Sequence, residues 1–336
     1  MPTESVNESL TAERYRVFSQ IDAQDLSKSY SSLATSIADD GEILSLVDSL
    51  PPAKRQAGFL FSAARFFEVP FDDFGSFRRG LLDRWNDIEQ LARERTLQTN
   101  DPARMLAILP ILAQIDGPIA LIEVGASAGL CLNLDRYSYH YDHEQWIHPA
   151  DGPSSVRLVA EISGPVPVPS RMPRIGWRAG IELSPLDVDD AEDERWLTAL
   201  LWPDSDARRA NLLAAIGILR EHPVPIVEGD LNDQIRSVAR LAPADMTLVV
   251  MHSAVLPYVE QGEAERFVET VRELGAVWIS NELADVVPGV SDAVPESAAF
   301  SFVVAVDGEP VAHSHPHGAW VRWHDDTARS NVGPAS

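Results

Sequence analysis

The stretch from Ile119 to Leu134, IALIEVGASAGLCLNL, constrains this chain more than any other. An apolar run ends in Glu123, passes through the small residues Gly125, Ala126, Ser127, Ala128 and Gly129, and then becomes apolar again. That order predicts a buried strand, a tight loop and a helix. Glycines at these positions let the backbone take positive φ and come close to a bound molecule. The helix is expected to start near Ala128, where its free N–H groups would face an anionic group of a ligand. The same small residues would also suit a turn that needs them for packing alone.

Two regions surround the loop. Residues 1–100 read as an N-terminal helical domain: Leu10, Val17, Phe18 and Ile21 follow an amphipathic trace, and a longer helix is expected from near Phe77 to Leu97. Asn100 or Asp101 is placed to cap the apolar helix Met105–Leu112, with Pro102 at its first position. That helix leads straight into the Glu123 strand, so the same turn is also a candidate to touch a ligand. Residues 101–330 read as an α/β domain. Strands expected at 178–183, 225–230, 246–251 and 276–280 alternate with helices near 192–201, 208–220, 231–241 and 263–274, a rhythm that implies a parallel sheet covered on both faces.

Two segments depart from the rhythm. Residues 137–177 alternate twice and then become Pro-rich, which predicts an inserted β-hairpin with an extended loop. Residues 300–306 and 310–315 flank Asp307-Gly308-Glu309 and are followed by an apolar stretch at 318–323, which predicts an antiparallel C-terminal edge. Residues 283–299, rich in Pro, Ala and Ser, do not read as a crossing helix.

Charge narrows the function classes. Lys and Arg number 27 against 51 Asp and Glu, a net charge of −24, so nucleic acid and anionic membrane are poor partners and a small molecule is the expected one. No apolar run is long enough to span a bilayer, and the polar, acidic start lacks the features of a signal peptide, so a cytoplasmic location is expected. Cys131 is the only cysteine, which excludes an intrachain disulfide and a multi-cysteine zinc site; it is expected to pack rather than react.

Ligands of open α/β sheets lie outside the carboxyl ends of the strands. Collecting those ends brings Glu123 to Gly129, Glu182, Asp230, His252-Ser253 and Asn281-Glu282 toward one crevice. Glu182 suits a ribose's paired hydroxyls, with Asp187 in reserve. His252 is the first candidate for a general base, with Tyr258 to orient a substrate. His313, His315 and His317 would share a strand face and bind a metal if extended, whereas Pro316 and Gly318 argue for a His-Pro-His-Gly turn that touches substrate or is simply hydrogen-bonded.

Read as Glu-x-Gly-x-Ser-x-Gly, Glu123 to Gly129 resembles the first motif of class I S-adenosylmethionine-dependent methyltransferases, with Ser127 where that family usually has glycine. The resemblance implies a Rossmann-like, mostly parallel sheet and S-adenosylmethionine as cofactor. Glu123, Gly125, Ser127 and Gly129 would contact it, with Glu182 at the ribose and Asp230 near the adenine amino group. His252, Tyr258 and His317 would face the methyl acceptor. Read instead as Gly-x-Ser-x-Gly, the loop matches the nucleophile elbow of α/β-hydrolases, with Ser127 as nucleophile and Asp230, Asp245, His252 or His317 recruited. The helical character of residues 1–115 counts against this, because such a fold needs strands before its elbow.

The chain further resembles a bacterial family of uncharacterised function with a methyltransferase-like core. Gln98-Thr99-Asn100, Glu123 to Leu132, Trp177 to Asp187, Trp202-Pro203-Asp204, His252-Ser253, and His315 to Gly318 with Trp320 carry that resemblance. The expected activity is methyl transfer to a small acceptor. A hydrolase using Ser127 or a histidine-bound metal, and a non-catalytic ligand-binding protein on the same fold, remain the alternatives.

Overall fold

The computed structural model describes residues 10–23, 26–142, 145–203, 206–290 and 301–324. Its α-helices are α1 Leu10–Val17, α2 Lys28–Ala38, α3 Gly41–Ser49, α4 Ala57–Phe66, α5 Phe74–Asp83, α6 Trp85–Glu94, α7 Met105–Leu112, α8 Ala191–Leu200, α9 Asp206–Glu221, α10 Leu231–Ala239 and α11 Gln261–Glu273. Two compact units form: Met1–Thr99 with Ala191–Asp206, and Asn100–Asp190 with Ala207–Ser336.

In the first unit, side chains fix the helix starts. Ser27, Asp40 and Asp73 cap α2, α3 and α5 by accepting hydrogen bonds from first-turn amides. Tyr30 stacks on Phe61 at 4.4 Å, and Phe18, Phe71, Phe77 and Trp202 close an aromatic core around them. Helix α8 belongs here and not to the α/β region in which its sequence position had placed it. Trp196 packs on Phe59 and Phe66 and donates to the Thr96 carbonyl, while Asp193 pairs with Arg95. The single helix expected from Phe77 to Leu97 is broken at Arg84 into α5 and α6.

Among the described residues, the second unit is a mixed α/β structure around a ten-stranded, mostly parallel sheet. Its strands are β1 Pro118–Val124, β2 Ser138–Tyr141, β3 Arg157–Ser163, β4 Arg174–Glu182, β5 Ile226–Glu228, β6 Thr247–Ser253, β7 Val277–Glu282, β8 Phe302–Val306, β9 Glu309–Ser314 and β10 Trp320–Trp323. They lie in the order β2-β3-β10-β9-β8-β7-β6-β1-β4-β5. Strands β7, β6, β1, β4 and β5 run parallel, and β8, β9 and β10 alternate antiparallel beyond β7. The central strands are apolar because both faces are covered. One face packs Ile122, Val124, Ile181, Val250 and Trp278 against Ile235 and Val238 of α10 and Phe267 and Val271 of α11. Helix α7 is buried along its whole length, which accounts for its having no polar face.

The inserted hairpin expected at 137–177 does not form. Strands β2 and β3 are parallel, and β3 is parallel to β10, so the insertion extends the sheet at its far edge. Ile147 takes the antiparallel place beside Tyr139, exchanging two 2.9 Å backbone hydrogen bonds with it, and the chain must cross back before β3 can begin. Among the described residues, no helix is long and apolar enough to cross a membrane.

Candidate functional site

The loop after β1 turns sharply because Gly125, Ser127 and Gly129 all take positive φ, +70°, +53° and +88°. Position 129 must also be glycine for space, since a Cβ there would lie 2.7 Å from a Val224 methyl. The loop amides are held by the protein itself. Those of Gly125 and Ala126 donate to the Ile181 carbonyl, that of Ser127 to Glu182 Oε2 at 2.8 Å, and that of Leu130 to Asn100 Oδ1 at 2.8 Å.

No α-helix follows the loop; Leu130–Arg136 is a 3-10 segment interrupted at Asn133. Its carbonyls are claimed by side chains from elsewhere: Tyr137 Oη donates to Leu130, Arg178 Nη1 to Leu132 and Tyr139 Oη to Leu134, at 2.5, 2.7 and 2.7 Å. An anion cradle at a helix N-terminus, expected from the sequence, is therefore corrected to a loop with its own internal acceptors.

Beneath the loop lies a buried polar cluster. Glu123 is 4 % exposed and its Oε2 has no hydrogen-bond partner. Burial raises its pKa to about 8, with Glu182 adding to the rise and Arg104 opposing it. Arg104 reaches across from the segment before α7, donating through Nη1 to the Ser253 carbonyl and through Nε to that of Pro316. Cys131 is buried beside Glu123 and donates to the Asp101 carbonyl, and burial pushes its thiol pKa up, in accord with a packing role.

Asp101 does cap the 3-10 turn Pro102–Arg104, accepting from the Ala103 amide at 3.0 Å. Its other oxygen takes two hydrogen bonds from Arg208, 3.1 and 2.8 Å long. Arg208 also donates to His317 Nδ1 at 3.0 Å, and the His317 amide donates to His315 Nδ1. A guanidinium has no acceptor, so Nδ1 of His317 must accept and its proton sits on Nε2. Burial and the Arg208 charge hold His317 well below its ordinary pKa and His315 down to about 4.

Of the expected residues, Glu123, Gly125, Ser127, Gly129, Glu182 and His317 gather around this cluster and its loop, joined by Asn100, Asp101 and Ser253. Glu182 already accepts from the Ser127 and Ser184 amides. Asp230 stands apart as the exposed N-cap of α10, accepting from Asn232. Tyr258 is 57 % exposed in a 3-10 turn after β6.

His252 is the main correction. Both its ring nitrogens are taken inside the core, Nδ1 by Glu282 Oε1 at 2.7 Å and Nε2 by Trp278 Nε1 at 2.9 Å, and its side chain is 0 % exposed. Indole N–H only donates, so Nε2 accepts and cannot serve as a base toward a crevice. The histidine metal site also fails: His313 lies on β9 beside His324, away from the His315–His317 turn, and no group of three or more ligating side chains able to hold a metal occurs among the described residues. Asp204 of the Trp202-Pro203-Asp204 motif and most of 283–299 lie outside the described residues.

Sequence reasoning missed Arg104 and Arg208. Arg104 did leave a trace, as the one basic residue at the head of the wholly apolar α7 segment; Arg208 left none.

Asn100, Glu123 to Cys131, Ser253 and His315 to Gly318 are far apart in sequence, and the fold collects them. A family model described as "Uncharacterized protein conserved in bacteria (DUF2332)" matches residues 68–323. The chain belongs to this family. Its matched span includes every residue of the cluster, and within the first unit it begins only at Glu68. No curated protein and no solved structure matches the chain.

Proposed function

We propose that the chain binds S-adenosylmethionine at the carboxyl ends of β4, β1 and β6 and transfers its methyl group to a small acceptor. The observation that carries this reading is Glu123: a carboxyl at the end of the central strand, buried, with one oxygen unpartnered. Buried polar groups are normally satisfied, and an orphaned carboxylate oxygen fits a ligand ammonium. The order β5-β4-β1-β6-β7 supports a Rossmann-like core with its switch point at β1.

The fit is good at the amino end of such a ligand and different from the usual pattern elsewhere. Glu123 would hold the ammonium. Glu182 would stand at the ribose hydroxyls while fixing the Ser127 amide. Leu183 and Tyr258, 70 % and 57 % exposed, follow the strands on either side of β1 and offer apolar walls; Asp230 stands at the end of β5 for an exocyclic amine. The loop amides, already bonded, would supply shape rather than charge. The bound cofactor would supply a methyl group activated by its sulfonium. On the acceptor side stands His317, its ring oriented by Arg208 at Nδ1. With His252 locked away, the chain's main contribution would be alignment of the two reactants and exclusion of water.

Isothermal titration with S-adenosylhomocysteine tests the reading. Micromolar binding by the wild type, lost in Glu123→Ala, is the expected result. Absence of binding to a folded wild type would overturn it.

One observation favours the hydrolase reading, the positive φ of Ser127, which matches a nucleophile elbow. Both histidines available to it, His252 and His317, are held by other partners. Labelling of Ser127 by a fluorophosphonate would revive it.

A further inference from the structure

We infer that Glu282 and His252 are positioning residues for the glycine loop, acting through the turn that follows β6. The Glu282 side chain is 0 % exposed and spans from the His252 ring to the turn: Oε1 accepts from His252 Nδ1 at 2.7 Å and from the Val255 amide at 2.9 Å, and Oε2 accepts from the Val255 amide at 3.1 Å. The Leu256 amide adds a longer contact of 3.4 Å. Ala254, just before, is held at φ +58°, a conformation alanine avoids, with its amide on the Asn281 carbonyl. A turn strained in this way persists only where its surroundings over-determine it, and here the buried carboxylate does so.

The turn in turn sets the loop. Val255 lies directly on Gly125: a Cβ at position 125 would sit 2.4 Å from Val255 Cγ2 and 3.2 Å from Cγ1. The loop is thus gripped from two sides, by the Ile181 carbonyl and Glu182 carboxylate on the β4 side and by Val255 on the β6 side. His252 fixes the Glu282 carboxylate and is itself fixed by Trp278 and by the ring of Phe267 on α11. The path runs from the helix-covered core, through one imidazole and one carboxylate, to the backbone that the cofactor reading assigns to ligand binding. Its functional weight rests on that reading; the mechanical coupling does not.

The test uses the full chain and the variants Glu282→Gln, Val255→Ala and their double. Glu282→Gln keeps size but turns an acceptor pair into one acceptor and one donor facing N–H groups. Hydrogen exchange of peptides covering 121–132 should quicken on the order of tenfold in each single variant, with exchange in β8 to β10 unchanged. The double variant should exchange no faster than Val255→Ala alone, because both changes act through one contact. S-adenosylhomocysteine affinity should fall in the same non-additive pattern. Faster exchange at 254–256 with an unchanged loop, or additive effects on the loop, would overturn the inference. A wild type that binds no S-adenosylhomocysteine would overturn the cofactor reading, and the exchange data would still decide the coupling. Should Glu282→Gln fail to fold, Val255→Ala with unaltered loop exchange would be sufficient to refute it.

Discussion

Replacing Glu123 by Gln should stabilise the protein at alkaline pH and abolish ligand binding at every pH. The carboxyl has its folded pKa raised from an ordinary 4.5 to about 8 by burial and by Glu182. A group raised in this way contributes stability that is complete below the unfolded value and is lost as the pH climbs through the folded one, because only the unfolded chain can release the proton cheaply. Across that window the wild type loses stability that a neutral amide does not lose. Between about pH 6 and about pH 8 the difference amounts to roughly 2 kcal/mol. Urea unfolding of wild type and Glu123→Gln at the two pH values, followed by tryptophan fluorescence, measures it directly, since other titrating groups cancel in the comparison. The gap should widen by that amount in favour of the variant as the pH rises. A gap that is constant, or that widens in favour of the wild type, would show Glu123 to be ionised in the fold and paired with Arg104, and the reasoning from its unpartnered oxygen would fail. The binding arm has the opposite sign. A ligand ammonium requires the ionised carboxyl, so wild-type affinity for S-adenosylhomocysteine should weaken by roughly fifty-fold from about pH 8 to about pH 6. A flat profile would separate ligand binding from Glu123.

Two further substitutions probe the cluster's frame. Arg208→Met leaves Asp101, 3 % exposed, without its charged partner and should cost about 3–5 kcal/mol, part of which Asp101→Asn should restore; thermal unfolding of the single and double variants reads both, and an additive loss would refute the pairing. Gly318→Ala places a Cβ 2.2 Å from the Ala103 carbonyl oxygen at φ +72°, which should cost at least about 2 kcal/mol and displace the His315–His317 turn; an unchanged melting temperature would mean that this backbone approach is looser than described.

The apolar runs of β1, β6 and β7 were legible because a strand covered on both faces writes its burial into its own residues. The pairing of β2 was not, since Tyr139 and Tyr141 alternate in the same way whether the neighbour is parallel or antiparallel; Ile147, eight residues past Tyr139, settles it. The 3-10 segment after the loop was equally hidden, because the groups that take its carbonyls stand at Tyr137, Tyr139 and Arg178. Glu123 and His252 show the same limit at the site. Both are polar residues at the carboxyl ends of adjacent parallel strands, and by type and place they looked like partners. Register separates them: Glu123 lies level with Met251, and His252 with Val124. Side chains alternate faces along a strand, so His252 shares its face with Val124 and the α10–α11 core, whereas Glu123 shares the opposite face with Ser253 and, through β7, Asn281. A shift of one residue in β6 would have exchanged the two roles, putting an imidazole beside Glu123 and leaving a methionine or serine to face Trp278. Which polar residue of a parallel sheet meets the ligand is therefore a property of register between strands more than a hundred residues apart.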